Sequence, residues 1–307
     1  MLRSRFYPLD TLFHYSSPWS LLTGFMMFVL GTGLVVFLGG LIRIDVFWLG
    51  ITAVLMLQVT SGLLKAYYDS FEPDQRRVPP PRLRLDRNEE HIVELPRGLL
   101  LVASITTLTV GAIITVLLSR KGALTPPALI ILGLAFFLAF FYGVPPLRFS
   151  QTGYGDLTQA FLLSNLIPAL AYIFQTGELH RLLLMLTFPL TCLFIAMKLI
   201  LPLQSFAEDI RVGRRSLLTH LGWQRGIVLH NGLLLFTYAI IGLAEILDQP
   251  WSLTWPELLT IPLALFQVFL VRQISGGKKP RWRLINFNSL SIYGLMIYFI
   301  TLALWTG

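Results

Sequence analysis

The chain has 307 residues, 55% hydrophobic and 13% charged, with a net charge of +8. Soluble domains carry about 25% charged residues, so the polar surface is too small to cover a water-facing body, and a mean hydropathy of +0.69 points to a bilayer. The single cysteine, Cys192, excludes an intrachain disulfide framework and a multi-cysteine metal site, and the basic residues sit in short loops where membrane topology accounts for them, so nucleic acid is not an expected partner.

A helix needs about 20 apolar residues to cross a bilayer. That ruler predicts nine spans, near 19–42, 46–68, 97–118, 125–143, 157–176, 180–204, 226–247, 254–273 and 284–305. The expectation is an all-α, multi-pass membrane protein with one domain over 1–307. Gly31, Gly33, Gly39 and Gly40 on the first span predict close helix packing. Pro168, Pro189 and Pro262 fall inside spans, where neighbours must satisfy the freed backbone groups. Alternating the loops between two sides leaves only Arg43, Arg120, Lys121 and Arg181 on one of them. Lys65 and Lys198 lie within spans, and every other basic residue falls on the side of the N-terminus. The positive-inside rule therefore predicts a cytoplasmic N-terminal segment (1–18) and a C-terminus on the opposite side.

The second span ends in "LLKAYYDSFEPDQRR", which carries Asp69, Glu72 and Asp74. The sixth ends in Glu208 and Asp209, then reaches Arg211, Arg214 and Arg215. Carboxylates three to five apart at a helix end can converge on one ion, and hard oxygen ligands suit Mg²⁺, which a substrate phosphate commonly completes. Two such groups facing each other would clamp a diphosphate and stabilise the charge that develops as a C–O bond breaks. Acids at a membrane surface can also be merely solvated. The fourth span ends in "FFYGVPPLRFSQTGYGDL", where the proline pair stops the helix and Arg148 follows. A guanidinium there suits bidentate phosphate contact, or serves as a topological anchor. The histidines are scattered without zinc-ligand spacing, and no glycine-rich phosphate loop with a lysine is present.

These motifs resemble the UbiA-type superfamily of intramembrane prenyltransferases, over about residue 18 to the C-terminus. Tyr142, Pro145, Pro146 and Arg148 match its Y-x-x-P-P-x-R/K motif. Gly153, Gly155 and Asp156 match the G-x-G-E/D that opens span five, and Gln175, Thr176 and Gly177 the Q-T-G that closes it. Asp209, Gly213, Arg214, Ser216, Leu217, Leu221 and Gly222 match its second acidic motif. The branch that looks most similar makes quinone precursors from 1,4-dihydroxy-2-naphthoate. The resemblance implies a nine-helix UbiA-like bundle around a central cavity, with residues 69–97 forming a lid-like cytoplasmic loop. It implies transfer of a prenyl group from a prenyl diphosphate to an aromatic acceptor, drawn from the membrane lipid phase with Mg²⁺ as cofactor. Asp69, Asp209 and Tyr142 take catalytic roles by this resemblance. Asp69, Glu72, Asp74, Glu208 and Asp209 would hold metal. Arg148, Arg214 and Arg215 would bind the diphosphate.

The chain departs from the pattern at two metal positions. Lys65 stands where the first motif has asparagine, and Ser205 where the second has its first aspartate. Intramembrane lysines face a partner or a wet cavity. Lys65, Lys198 or both are therefore expected to supply positive charge to the diphosphate in place of part of one metal site, against the alternative that Lys65 only neutralises Asp69 and snorkels. A family member that binds an isoprenoid or quinone without turnover is the alternative function, and an unrelated transporter a more remote one. No protein partner is inferable.

Overall fold

The computed structural model describes residues 17–71 and 95–307. Most of the lid-like loop, with Glu72 and Asp74, and nearly all of the N-terminal segment lie outside the described residues. The described residues hold nine helices long and apolar enough to cross a membrane. They are α1 (Pro18–Phe37), α2 (Ile44–Asp69), α3 (Arg97–Arg120), α4 (Pro126–Gly143), α5 (Gly155–Thr176), α6 (Arg181–Val212), α7 (Trp223–Ile246), α8 (Trp251–Ile274) and α9 (Trp282–Thr306). The chain is thus an all-α, multi-pass integral membrane protein. In a bilayer the helix satisfies every backbone polar group within its own segment, so this architecture follows directly from nine apolar runs.

The bundle has a protected middle and a lipid-facing rim. In their most apolar stretches α5 and α6 bury 72% and 67% of residues, whereas α3 and α4 bury 17% and 22%. Helix α1 packs on α5 and α9, α2 on α3, α4 and α5, and α6 on α7 and α9. Two of the predicted packing glycines account for the first contacts. A Cβ on Gly31 would lie 2.2 Å from the Pro168 carbonyl oxygen of α5, and one on Gly33 2.6 Å from the Trp305 indole nitrogen of α9. Gly39 and Gly40 do not serve that role. Helix α1 ends at Phe37, five residues before the predicted boundary, and Gly39 turns the chain with φ +78°.

The span prolines are placed where they cost least. Pro168 falls in the first turn of the segment Ile167–Thr176, directly after a π-helical turn at Leu162–Leu166. Pro262 opens Ile261–Ser275 after a break at Leu259 and Thr260, so its missing N–H is one that no helix start uses. Pro189 and Pro256 are interior to regular helices. The sixth span runs eight residues beyond the predicted end, to Val212. It passes through a 3₁₀ turn at Leu201–Ser205 that begins with Leu201 and Pro202, and then resumes as Phe206–Val212. This extension brings Ser205 and Asp209 onto the end of one continuous rod.

Candidate active site

The first half of the site is built on the end of α2. Asp69 is its last residue, and Lys65 lies one turn earlier. The Lys65 ammonium donates to Asp69 Oδ2 at 2.8 Å. The Arg148 guanidinium donates to Oδ1 at 2.9 Å and the Gln151 amide to the same oxygen at 3.3 Å. At least three donors from two segments converge on this one carboxylate. Two local features make that possible. A Cβ on Gly143, the last residue of α4, would lie 2.4 Å from Lys65 Cα, so glycine lets α4 close directly onto α2. Arg148 has φ +38° and ψ 57°, a left-handed conformation that costs a non-glycine residue about 1–2 kcal/mol. That turn starts the short helix Phe149–Thr152, which carries Gln151 alongside Arg148 onto the same carboxylate.

The second half is built on the end of α6. Asp209 is 4% exposed. Ser205, one turn before it, donates to Oδ2 at 3.0 Å, and the Arg214 guanidinium reaches Oδ1 at 3.3 Å. The spacing of the motif is a helix-ending device. Gly213 takes φ +76°, the helix stops, and the Arg214 N–H turns back to the Asp209 carbonyl at 2.8 Å. The same turn returns the Arg214 side chain to the carboxylate. Ser216 then caps the helix Leu217–Leu221 in a capping box with Thr219.

The loop between α4 and α5 joins the halves. Its first part holds Asp69 through Arg148 and Gln151. Its last part reaches the α6–α7 connection, where Asp156 Oδ2 accepts the Leu217 N–H at 3.1 Å. Gly153 supports the same junction, because a Cβ there would collide with the His220 ring at 2.4 Å. Tyr142, on the last turn of α4, accepts a hydrogen bond from Gln159 of α5 at 2.8 Å, and the carboxylates of Asp69 and Asp156 both lie within electrostatic range of its hydroxyl.

The structure therefore brings together Asp69, Lys65, Arg148 and Tyr142 on one side and Asp209 and Arg214 on the other. Glu208 and Arg215 are exposed and join no ion pair among the described residues. Asp209 and Glu208 are adjacent on one helix, so only one of them faces inward. Lys198 is half-buried two turns before Ser205, with its ammonium 5.4 Å from the Phe194 ring centroid, and it pairs with no carboxylate among the described residues. Sequence reasoning missed Gln151, Gln159 and the Ser205–Asp209 bond. Gln159 lies three residues past Asp156 on the predicted fifth span, and that spacing was the available signal, whereas Gln151 lies on the short helix Phe149–Thr152, in what the sequence predicts to be a loop. At the opposite end of the bundle, Gln175 clasps the backbone of Arg43, accepting its N–H at 2.9 Å. The Q-T-G motif is therefore a connection between α1–α2 and α5, remote from the carboxylates.

No protein-family model matches the chain, and no curated protein sequence does. Solved structures do. A UbiA homologue from Archaeoglobus fulgidus bound to GPP and Mg²⁺ superposes with a TM-score of 0.66 at 16% identity, covering 97% of this chain and 100% of that one. The same homologue bound to DMAPP and Mg²⁺ gives 0.67 at 16% identity, with coverages of 96% and 99%. A structure concerning digeranylgeranylglyceryl phosphate synthase gives 0.61 at 12% identity, with coverages of 97% and 98%. At these identities the likeness is one of fold: the chain has the UbiA-like nine-helix bundle over essentially its whole length.

Proposed function

We propose that the protein is a UbiA-type prenyltransferase that moves a prenyl group from a prenyl diphosphate to an electron-rich aromatic acceptor. The observation that carries this reading is that two carboxylates at helix ends, Asp69 and Asp209, each take an arginine, and that the segments carrying them are tied together through Asp156 and the Leu217 N–H. The end of the bundle that carries them is the cytoplasmic one on the distribution of basic residues, and the C-terminus lies opposite. The A. fulgidus homologue of the same fold was solved with prenyl diphosphates and Mg²⁺. On this reading the prenyl chain lies among the apolar helices and the diphosphate at the mouth. Arg148 and Arg214 bind its oxygens, and a guanidinium fork suits that geometry. Tyr142, held by Gln159, presents its ring toward the allylic carbon and shields the developing cation. The diphosphate leaves with the C–O bonding electron pair, the acceptor ring attacks the allylic carbon, and the ring regains aromaticity by losing its proton to the released diphosphate or to water. Residues 1–307 are proposed to act as one domain.

The donor set fits Mg²⁺ unequally. A carboxylate offers about four lone-pair sites. Asp209 has two of them engaged, by Ser205 and Arg214, so it retains capacity for a metal. Asp69 has at least three engaged, and no three His, Cys, Asp or Glu side chains gather into a metal cluster among the described residues. Asp209 is the residue proposed to hold Mg²⁺, with the substrate's diphosphate and water completing its shell. When bound, the ion would neutralise charge on the leaving diphosphate.

A second reading, binding of an isoprenoid or quinone without turnover, is favoured by Ser205. It puts a hydroxyl donor on Asp209 where a second carboxylate would have widened the metal site. Purified protein given a chain-length series of prenyl diphosphates, Mg²⁺ and naphthoate or benzoate acceptors separates the two. Acceptor-dependent release of diphosphate is expected. Retention of the lipid with no release for any pair would favour binding alone.

A further inference from the structure

The cations at Asp69 are arranged as a substitute for a metal ion. Lys65 Nζ stands 2.8 Å from Oδ2, on the one Asp69 oxygen that Arg148 and Gln151 leave to it. A divalent cation ligated by Asp69 would have to take that oxygen from the ammonium or share it. Lys65 cannot withdraw by moving its backbone, because Gly143 of α4 presses against its Cα and N. The pair is not sealed off. The Lys65 and Asp69 side chains are 37% and 33% exposed, so an anion at the mouth can reach the ammonium. An ammonium has three donors, and the bond to Asp69 uses one of them, which leaves donors for phosphate oxygens. With Arg148 on the same carboxylate, the group of Lys65, Arg148 and Asp69 carries one net positive charge, which attracts a phosphate at the mouth.

We propose that Lys65 takes the place of one divalent cation, so that this protein binds a prenyl diphosphate with no metal ion at Asp69. The Asp69 carboxylate then holds Lys65 and Arg148 in place and does not act as a metal ligand. Mg²⁺ at Asp209 is then needed to ionise the diphosphate and not to bind it. This rests on the prenyl diphosphate reading above and makes a separate claim about which groups carry the charge.

The test is equilibrium binding of a non-ionisable prenyl thiolodiphosphate to the full-length protein in detergent, in excess EDTA and again in Mg²⁺. Wild type is expected to bind in EDTA within about 10-fold of its affinity in Mg²⁺. Lys65→Met and Lys65→Gln are each expected to lose about 10-fold or more in EDTA, the scale of one charge-assisted hydrogen bond. Lys65→Arg, which keeps the charge, is expected to retain binding. Wild-type binding that appears only with Mg²⁺ overturns the proposal and leaves the prenyltransferase reading standing. So does undiminished EDTA binding in Lys65→Met or Lys65→Gln, or an equal loss in Lys65→Arg, which would mark a merely structural lysine. No binding under either condition overturns both readings.

Discussion

Ser205→Asp restores a second carboxylate one turn before Asp209, and its consequences follow from the local geometry. In the native protein Ser205 Oγ donates to Asp209 Oδ2 at 3.0 Å. The substitution removes that hydrogen bond, worth about 1 kcal/mol, and sets two carboxylates about 4 Å apart. At an effective dielectric of about 20 the repulsion is about 4 kcal/mol. The Arg214 guanidinium, 3.3 Å from Asp209 Oδ1, offsets part of it, so the expected net destabilisation is about 3 kcal/mol without metal. At about 2 °C per kcal/mol for a chain of this size, the variant melts about 6 °C below wild type in EDTA. A divalent cation between the two carboxylates removes the repulsion, so Mg²⁺ raises its melting temperature by a similar amount and raises that of wild type much less. Thermal unfolding in detergent, with and without Mg²⁺, measures both. Equal melting temperatures for the variant in EDTA and Mg²⁺ would refute the placement of a metal position between residues 205 and 209.

Three other perturbations have definite expected outcomes. Arg148→Lys keeps charge but loses the planar guanidinium proposed to bind phosphate, so KM for the prenyl diphosphate rises about 10-fold in steady-state assays with a smaller change in kcat. Gly143→Ala sets a methyl group 2.4 Å from Lys65 Cα and forces α4 off α2, at a cost of about 1–3 kcal/mol in denaturation measurements. Glu257 is 1% exposed and has an Oε1 with no partner among the described residues. Glu257→Gln keeps its shape and removes an ionisable group from the interior, so thermal stability changes by less than about 1 kcal/mol, whereas Glu257→Ala opens a cavity and costs about 2 kcal/mol or more.

The span count was legible in the sequence because bilayer thickness fixes how many consecutive apolar residues each crossing needs. The motif positions were legible because their spacing encodes local backbone events: Gly213 stops α6 four residues after Asp209, and Ser216 caps the next helix. What was not legible depends on where helices meet. The inward turn of Asp209 and outward turn of Glu208 depend on the rotation of α6, which the 3₁₀ turn at Leu201–Ser205 resets. The engagement of Asp69 by Arg148 and Gln151 depends on contacts across 79 and 82 residues and on a left-handed backbone at Arg148. The place of the Lys198 ammonium, over the Phe194 ring one turn back on its own helix, also depends on side-chain packing that spacing does not encode.

The central claim is that the mouth built from Asp69 and Asp209 transfers a prenyl group, and Asp209→Asn tests it most directly. The purified variant and wild type are each incubated with a prenyl diphosphate series, Mg²⁺ and aromatic acceptors, and the lipid extract is examined by mass spectrometry. The account predicts a prenylated acceptor from wild type and a loss of about 100-fold or more in Asp209→Asn, the scale of removing one group that stabilises transition-state charge. Undiminished product from a folded Asp209→Asn would contradict it.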